Sequence, residues 1–223
     1  MAHKKTTGRK SANRTLHAAN SQGEGSPGEL RIIGGDWRSR KLRFPSVGGV
    51  RPTPARTRET LFNWLSFHLA GSECLDLFAG SGALGLEALS RGAAKTTFVD
   101  HTPALAQALR ENLRLLKSTG SEVVCASADV YLSHRTRPPF DIIFMDPPFR
   151  QGWLERLFPL LSTQGWANNS GWIYVEHESE ITTPSVPHNW HLHRQKTAGQ
   201  VTYCLFRIQA EQEADIEGIP ASA

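Results

Sequence analysis

The residues best suited to chemistry form the sequence Asp146-Pro147-Pro148-Phe149, directly after the segment 140–145, which is apolar except for Asp141. An aspartate that ends a buried strand is costly to ionise, so it needs a role. The two prolines fix the backbone and have no N–H to compete with their carbonyls. The Asp146 carboxylate and the Pro147 carbonyl can accept the hydrogens of an amino group on a flat ring, while Phe149 stacks on that ring. We take all four residues as catalytic candidates.

This receptor suits methylation of an exocyclic amine. The lone pair of such an amine is delocalised into its ring, so the nitrogen is a poor nucleophile. Two acceptors can orient the nitrogen and stabilise the positive charge that grows on it during methyl transfer. Asp146 can also take the proton as a general base.

A second candidate site is the glycine-rich sequence 76–85, which runs from the end of a predicted strand into a helix. Gly80 and Gly82 allow a tight turn and a close approach of a ligand to the backbone. The sequence also matches GxGxxG, the loop that binds dinucleotides. The residues that we expect to contact a cofactor here are Asp76, Phe78, Ala79, Gly80, Ser81 and Gly82.

Two further aspartates follow the next two predicted strands. Asp100 can accept hydrogen bonds from two ribose hydroxyls, and Asp129 can contact an adenine amine; either could instead cap a helix. NAD and S-adenosylmethionine both carry a ribose, so Asp100 does not distinguish them. A nicotinamide enzyme has no need of residues 146–149, which favours S-adenosylmethionine as the cofactor.

Strands and helices alternate from Cys74 onward, which predicts an α/β fold with a doubly wound, mainly parallel sheet of Rossmann type. Ligands bind such sheets beyond the carboxyl ends of the strands. The predicted strands are residues 74–78, 96–100, 122–126, 140–145 and 172–176, with a final hairpin of 190–194 and 201–208, seven strands in all. The predicted helices are 83–91, 103–117, a short helix from Asp129, and 154–161.

The chain before this sheet is basic. Residues 1–28 predict a disordered basic tail, and residues 29–52 predict a β-hairpin extension around Gly34-Gly35. Thr53 and Pro54 suit the start of a helix reaching about Leu69, with Thr53 as its N-cap. We assign residues 53–209 to one α/β domain and residues 210–223 to an acidic flexible tail.

Positive charge is concentrated near this hairpin. Residues 29–58 hold eight Lys and Arg against two acids, although the whole chain has a formal charge of only +4. Such a footprint fits a phosphate backbone, so we expect RNA binding there. The candidate residues are Arg31, Arg38, Arg40, Lys41, Arg43, Arg51 and Arg58.

Composition excludes several other classes of protein. No apolar run is long enough for a membrane span, and residues 1–20 lack the apolar centre of a signal peptide. The three cysteines lie far apart, so we expect no metal site, no disulfides, and a cytoplasmic protein. We expect a monomer. Glu176 ends a strand and could line the cleft, but a structural role is favoured.

The sequence resembles S-adenosylmethionine-dependent methyltransferases of amino groups, through residues 146–149 and 76–82. More narrowly, it is similar to the small subunit methyltransferase D family of bacterial 16S rRNA guanine-N2 methyltransferases. The similarity covers roughly residues 29–208, and its narrower motifs are residues 31–35, 51–53 and 58–65. It implies a guanine in small-subunit rRNA as substrate, in small-subunit particles. Asp100 stands where relatives are expected to have Glu.

Other functions stay open from the residues alone. The same receptor could hold an amine of another RNA, of DNA adenine, or of a protein glutamine. A non-catalytic RNA-binding assembly factor that keeps the fold is an alternative from another class, and a nicotinamide dehydrogenase is a more distant one.

Overall fold

The computed structural model describes residues 1, 25–47, 51–135, 137–182 and 184–210. Residues 2–24 of the predicted basic tail and residues 211–223 of the predicted acidic tail lie outside these described residues. Residues 25–28 pair in the first strand, so the hairpin begins four residues before the predicted boundary.

A two-stranded hairpin precedes a seven-stranded sheet. The strands are β1 Gly25–Arg31, β2 Lys41–Ser46, β3 Glu73–Asp76, β4 Lys95–Asp100, β5 Ser121–Cys125, β6 Phe140–Met145, β7 Ala167–Glu178, β8 Trp190–Ala198 and β9 Val201–Ile208. The helices are α1 Ala55–Trp64, α2 Ala83–Ser90, α3 Pro103–Leu115, α4 Ala128–Leu132 and α5 Trp153–Thr163. None of the helices in these described ranges is long and apolar enough to cross a membrane.

The large sheet has the order β5-β4-β3-β6-β7-β9-β8. The first five strands are parallel, and β9 pairs antiparallel with both β7 and β8. This arrangement confirms the predicted mainly parallel sheet and its final hairpin. The strand order reverses between β3 and β6, and this is the position at which α/β sheets bind ligands.

Alternate residues of the strands face two different helix layers. Ile143 and Val175 pack with α4 and α5 on one face, while Phe144 and Tyr174 pack with α1 and α2 on the other. The β1–β2 hairpin joins the second layer, because Leu30, Ile32, Leu42 and Phe44 pack with residues of α2 and α3. The hairpin is therefore continuous with the core of the domain.

Helix α1 is shorter than predicted and has a different start. Backbone hydrogen bonds from Ser66 to Asn63 and from His68 to Leu65 span three residues, so the chain after Trp64 forms tighter turns than an α-helix. Thr53 makes no cap hydrogen bond, and the N-cap position belongs to Pro54. The prediction of Thr53 as N-cap was wrong because its hydroxyl donates to a carboxylate of the cleft.

Candidate active site

A cleft of about 330 Å³ opens where β3 and β6 end. It brings together both stretches that the sequence singled out. Its lining includes Asp76, Phe78, Ala79, Gly80, Ser81 and Asp100 on one side and Asp146, Pro147, Pro148 and Phe149 on the other. Arg51 and Thr53 from the segment before α1 complete the wall. Residues separated by up to 98 positions in the chain thus share one cavity.

The glycine loop bends sharply into α2. Gly80 has φ 52° and Gly82 has φ 81°, values in the left-handed region that favours glycine. A side chain on Gly82 would also overlap Leu109 and Leu86. Gly82 does not line the cleft but makes the turn possible, and its neighbours Gly80 and Ser81 form the surface that a ligand would meet.

Asp76 is a buried carboxyl group that lines the cleft. Its Oδ2 accepts a hydrogen bond from the Gly85 N–H at 2.9 Å. Burial, together with the charges of Asp146 and Asp100, raises the pKa of Asp76 to about 7. A positively charged group bound in the cleft would offset this cost, so the floor of the cleft is suited to a cationic ligand.

Asp100 holds the glycine loop in place. Its Oδ2 accepts the Gly80 N–H at 2.8 Å, and its Oδ1 accepts the Thr102 N–H at 2.8 Å. Each carboxylate oxygen has a second lone pair, so both can still accept a hydrogen bond from a ligand in the cleft. The shorter side chain of aspartate thus fits both the loop and the cavity.

A smaller cavity of about 180 Å³ adjoins the cleft and shares Phe78, Asp100, His101 and Pro148 with it. Its remaining walls are mostly apolar: Leu77, Ala126, Ser127, Ala128, Gln151 and Trp153. The Phe78 and Trp153 rings meet edge to face at 5.3 Å. A flat aromatic ring would fit such a slot.

The contact between Asp129 and an adenine amine stays a prediction. Asp129 lies in the first turn of α4 and lines neither cavity. Its Oδ2 accepts a hydrogen bond from Arg156 at 2.6 Å, and its Oδ1 accepts the Val130 N–H at 3.0 Å. The neighbouring Ser127 and Ala128 line the small cavity.

The charge of Asp146 acts on a second buried carboxyl group, that of Glu176. The Thr53 hydroxyl lies 3.5 Å from Asp146 Oδ2, and the Tyr174 hydroxyl donates to Glu176 Oε1 at 2.8 Å. Burial raises the pKa of Asp146 to about 6. Burial, followed by the charge of Asp146, raises the pKa of Glu176 to about 8. Both carboxyl groups therefore hold their protons to a higher pH than an exposed carboxyl group does.

Arg58 is a structural residue, and its assignment to RNA binding was wrong. Its side chain is buried against Glu87, with Nη1 and Oε2 3.2 Å apart. The same guanidinium donates to the carbonyls of Arg31 and Thr53, each at 3.0 Å. Glu87 also accepts hydrogen bonds from the Ile33 N–H and from Arg91. The Arg58–Glu87 ion pair therefore connects the hairpin, and Thr53 in the wall of the cleft, to α2.

The other predicted RNA-binding residues are exposed: Arg31, Arg38, Arg40, Lys41, Arg43 and Arg51. Lys41 pairs with Glu29 at 2.9 Å, and Arg40 reaches the Leu115 carbonyl at 3.4 Å. Arg51 alone among them lines the cleft. The hairpin thus presents a cationic surface outside the cleft.

Several residues of the site were not found from the sequence. His101, Thr102 and Trp153 line the cavities but belong to no motif, and only their position just after a strand or at the start of a helix gives a signal. Glu176 was noted as the end of a strand, yet its pairing with Asp146 depends on the neighbouring position of β6 and β7.

Comparisons with known proteins agree with this geometry. The strand order and the two motifs at the switch point define the fold and site of a methyltransferase. An RNA methyltransferase from Salinibacter ruber, solved in complex with S-adenosyl-L-homocysteine, has a TM-score of 0.56 at 13% identity, which is a likeness of fold alone.

The family is shown at the level of sequence. A family model described as Conserved hypothetical protein 95 matches residues 30–207, and the chain belongs to this family. The ribosomal RNA small subunit methyltransferase D of Escherichia coli strain K12 is 50% identical over 190 residues, which cover 85% of this chain and 96% of that protein. The solved structure of the Escherichia coli protein yhhF has a TM-score of 0.77 and 48% identity, and covers 82% of this chain and all of that one.

Proposed function

We propose that this protein transfers a methyl group from S-adenosylmethionine to the exocyclic N2 amine of a guanine in 16S rRNA of the small ribosomal subunit. The observation that carries the proposal is that Asp146 and Pro147 share one cleft with Asp76, Gly80 and Asp100. The 50% identity to a ribosomal RNA small subunit methyltransferase D supports the choice of substrate. We also propose that the reaction takes place in the cytoplasm, because its proposed substrate is the small ribosomal subunit.

The residues present fit S-adenosylmethionine. We assign its ammonium group to Asp76, whose raised pKa a cation would offset. We assign its ribose to Asp100 and its adenine ring to the small cavity beside Phe78 and Trp153. When bound, the cofactor supplies an electrophilic methyl group.

The substrate amine meets residues 146–149. The Asp146 carboxylate and the Pro147 carbonyl accept its two hydrogens, and Phe149 offers a flat face to the base. With a pKa of about 6, Asp146 is ionised at neutral pH and can take the proton that the nitrogen loses. The base must leave its stack to reach this position.

The test is methyl transfer from labelled S-adenosylmethionine to small subunits that lack their native base methylations, followed by nucleoside mass spectrometry. We expect N2-methylguanosine. Asp146→Ala should lower turnover at least ~100-fold, because a group that stabilises the transition state is lost. The variant should still gain thermal stability from the cofactor.

Two results would contradict the proposal. Full activity of Asp146→Ala would remove the role of the carboxylate. Label in methyladenosine, DNA or protein, with none in N2-methylguanosine, would keep the methyltransferase chemistry and overturn the substrate.

A further inference from the structure

The outer face of the C-terminal hairpin carries unpaired positive charge. Residues 190–208, which contain β8 and β9, include Arg194, Lys196 and Arg207 and no acidic residue. Arg194 and Lys196 are exposed. Within the described ranges of the chain, none of these three cations forms an ion pair. The charge is therefore available to a partner.

These cations lie on one face of the sheet. Across the hairpin, Arg194 pairs with Leu205 and Lys196 pairs with Tyr203, and cross-strand partners share a face. Leu205 and Tyr203 pack in the layer of α1, so Arg194 and Lys196 lie on that side. We call the set His191, His193, Arg194, Lys196 and Arg207 the C-terminal strip.

The strip leads to the active site. Lys196 pairs with Tyr203, and Tyr203 pairs with Glu176 on β7, so Lys196 stands level with the carboxyl group that neighbours Asp146. Four residues earlier on β7, Trp172 pairs with Arg207. At about 3.3 Å per residue, the strip extends roughly 13 Å away from the edge of the sheet where the cleft opens.

Aromatic contacts fix the far end of the strip. The Arg207 guanidinium lies 4.5 Å from the centre of the Trp172 ring. The His68 and His193 rings lie 4.7 and 5.0 Å from the same indole. Partial burial lowers the pKa of both histidines; the charge of Arg207 also lowers that of His68, and the charges of Arg194 and then Arg207 also lower that of His193.

The hairpin at the other end of the chain lies on the same side of the sheet. The β1–β2 hairpin packs with α2 and α3, α1 packs against α2, and the strip follows beyond α1. The cleft thus has a cationic surface on each flank. We infer that the C-terminal strip is a second RNA-binding surface, which contacts phosphates of the same RNA molecule that carries the target base.

This inference rests on the proposed function. The partner of the strip is RNA, because a set of cations on a hairpin without acidic residues matches a phosphate backbone. The binding test uses the full chain and protein-free small-subunit rRNA, over a range of salt concentrations. The strip variant is Arg194→Gln with Lys196→Gln. The matched control is Lys95→Gln with Arg135→Gln, which removes two exposed cations near the amino ends of β4 and β6, at the edge of the sheet opposite the cleft.

We expect the strip variant to bind the rRNA about tenfold more weakly at low salt. The slope of log K against log salt should fall by roughly 1.5, as for two lost phosphate contacts. Its KM for the RNA-bearing substrate should rise with kcat unchanged, and stabilisation by S-adenosylmethionine should stay the same. The control variant should behave as the parent protein does.

The outcomes separate the two proposals. If the parent forms N2-methylguanosine and the strip variant binds rRNA like the control, the strip inference is overturned. If the strip variant loses affinity only for assembled subunits, the partner is a ribosomal protein and the inference is also overturned. Absence of methyl transfer to RNA by the parent would refute the proposed function, whatever the binding result.

Discussion

Asp146 sets how the proposed reaction should depend on pH. Burial raises its pKa to about 6, and its proton must be absent for the carboxylate to accept the amine hydrogens. We therefore expect kcat to rise as pH increases through about 6 and then to level. Single-turnover rates between pH 5 and 8 would measure this limb. Asp146→Asn should abolish this rise of rate with pH. If the rise persists in the variant, another group is responsible for it.

The raised pKa of Glu176 leads to a separate prediction, about how the stability of the fold depends on pH. A carboxyl group with a raised pKa favours folding below its unfolded pKa, near 4.5, and this contribution is lost as pH rises through the folded value of about 8. Glu176→Gln removes the titration and keeps an acceptor for the Tyr174 hydroxyl.

The melting temperature of Glu176→Gln relative to the parent should therefore increase by several degrees from pH 5 to pH 8.5. Thermal unfolding at both pH values measures it. Glu180→Gln is the control, because Glu180 is exposed and its pKa is lowered by Arg150. A difference in melting temperature that does not change with pH would show that Glu176 titrates normally in the folded protein.

Residues in local motifs can be recognised from the sequence more readily than residues whose role depends on a contact distant in the chain. Asp76, Gly80 and Asp146 could be found because each stands at the end of a strand or in the loop after it, in a local pattern with its own chemistry. Arg58 could not be placed, because its burial depends on Glu87, 29 residues away. A charged side chain looks solvent-exposed in sequence until its buried partner is known.

At the scale of elements, the β1–β2 hairpin depends on one close approach. Gly35 has φ 70°, and a side chain there would overlap the Ser90 carbonyl at the end of α2. The Asp36 N–H donates to that carbonyl at 2.7 Å, and the Ser90 hydroxyl donates to the Gly34 carbonyl at 2.6 Å. The turn of the hairpin therefore lies directly on the helix that follows the glycine loop.

Gly35→Ala should release the hairpin from α2. We expect trypsin to cut between residues 38 and 43 several times faster than in the parent, as measured by limited proteolysis. Gly71→Ala is the matched control, since Gly71 has a similar φ of 78° and open space around an added side chain. Equal cleavage rates in the two variants would mean that backbone strain alone, and not loss of docking, explains the effect.

The elements themselves were largely predictable, and their ends were not. The segment 140–145, apolar except for Asp141, predicted β6 with both ends correct, because a central strand is covered on both faces. Helix α1 was predicted to continue to Leu69, since apolar residues recur at helical spacing there. The tighter turns after Trp64 depend on packing against the sheet, which no local pattern records.

At the scale of the whole molecule, the uneven charge predicts how binding should respond to salt. Arg38 and Arg43 are exposed on the hairpin, and replacing both with Gln should weaken binding to small-subunit rRNA and reduce the salt slope by roughly 1.5. The melting temperature should not change, because neither side chain packs in the core. Binding titrations at several salt concentrations test this. An unchanged slope would remove the hairpin from the RNA interface.

The last strand of the sheet has a further consequence. Strand β8 lies at the edge, so one side of its backbone has no neighbouring strand in the described sheet. Such an edge can template pairing between copies of a protein, and charged side chains and bulges oppose this. Strand β8 has both, with Arg194 and Lys196 and an irregularity between Leu192 and Arg194. The positive charge to which we assign RNA binding therefore also opposes aggregation. Both solubility and substrate binding thus constrain the sequence of β8.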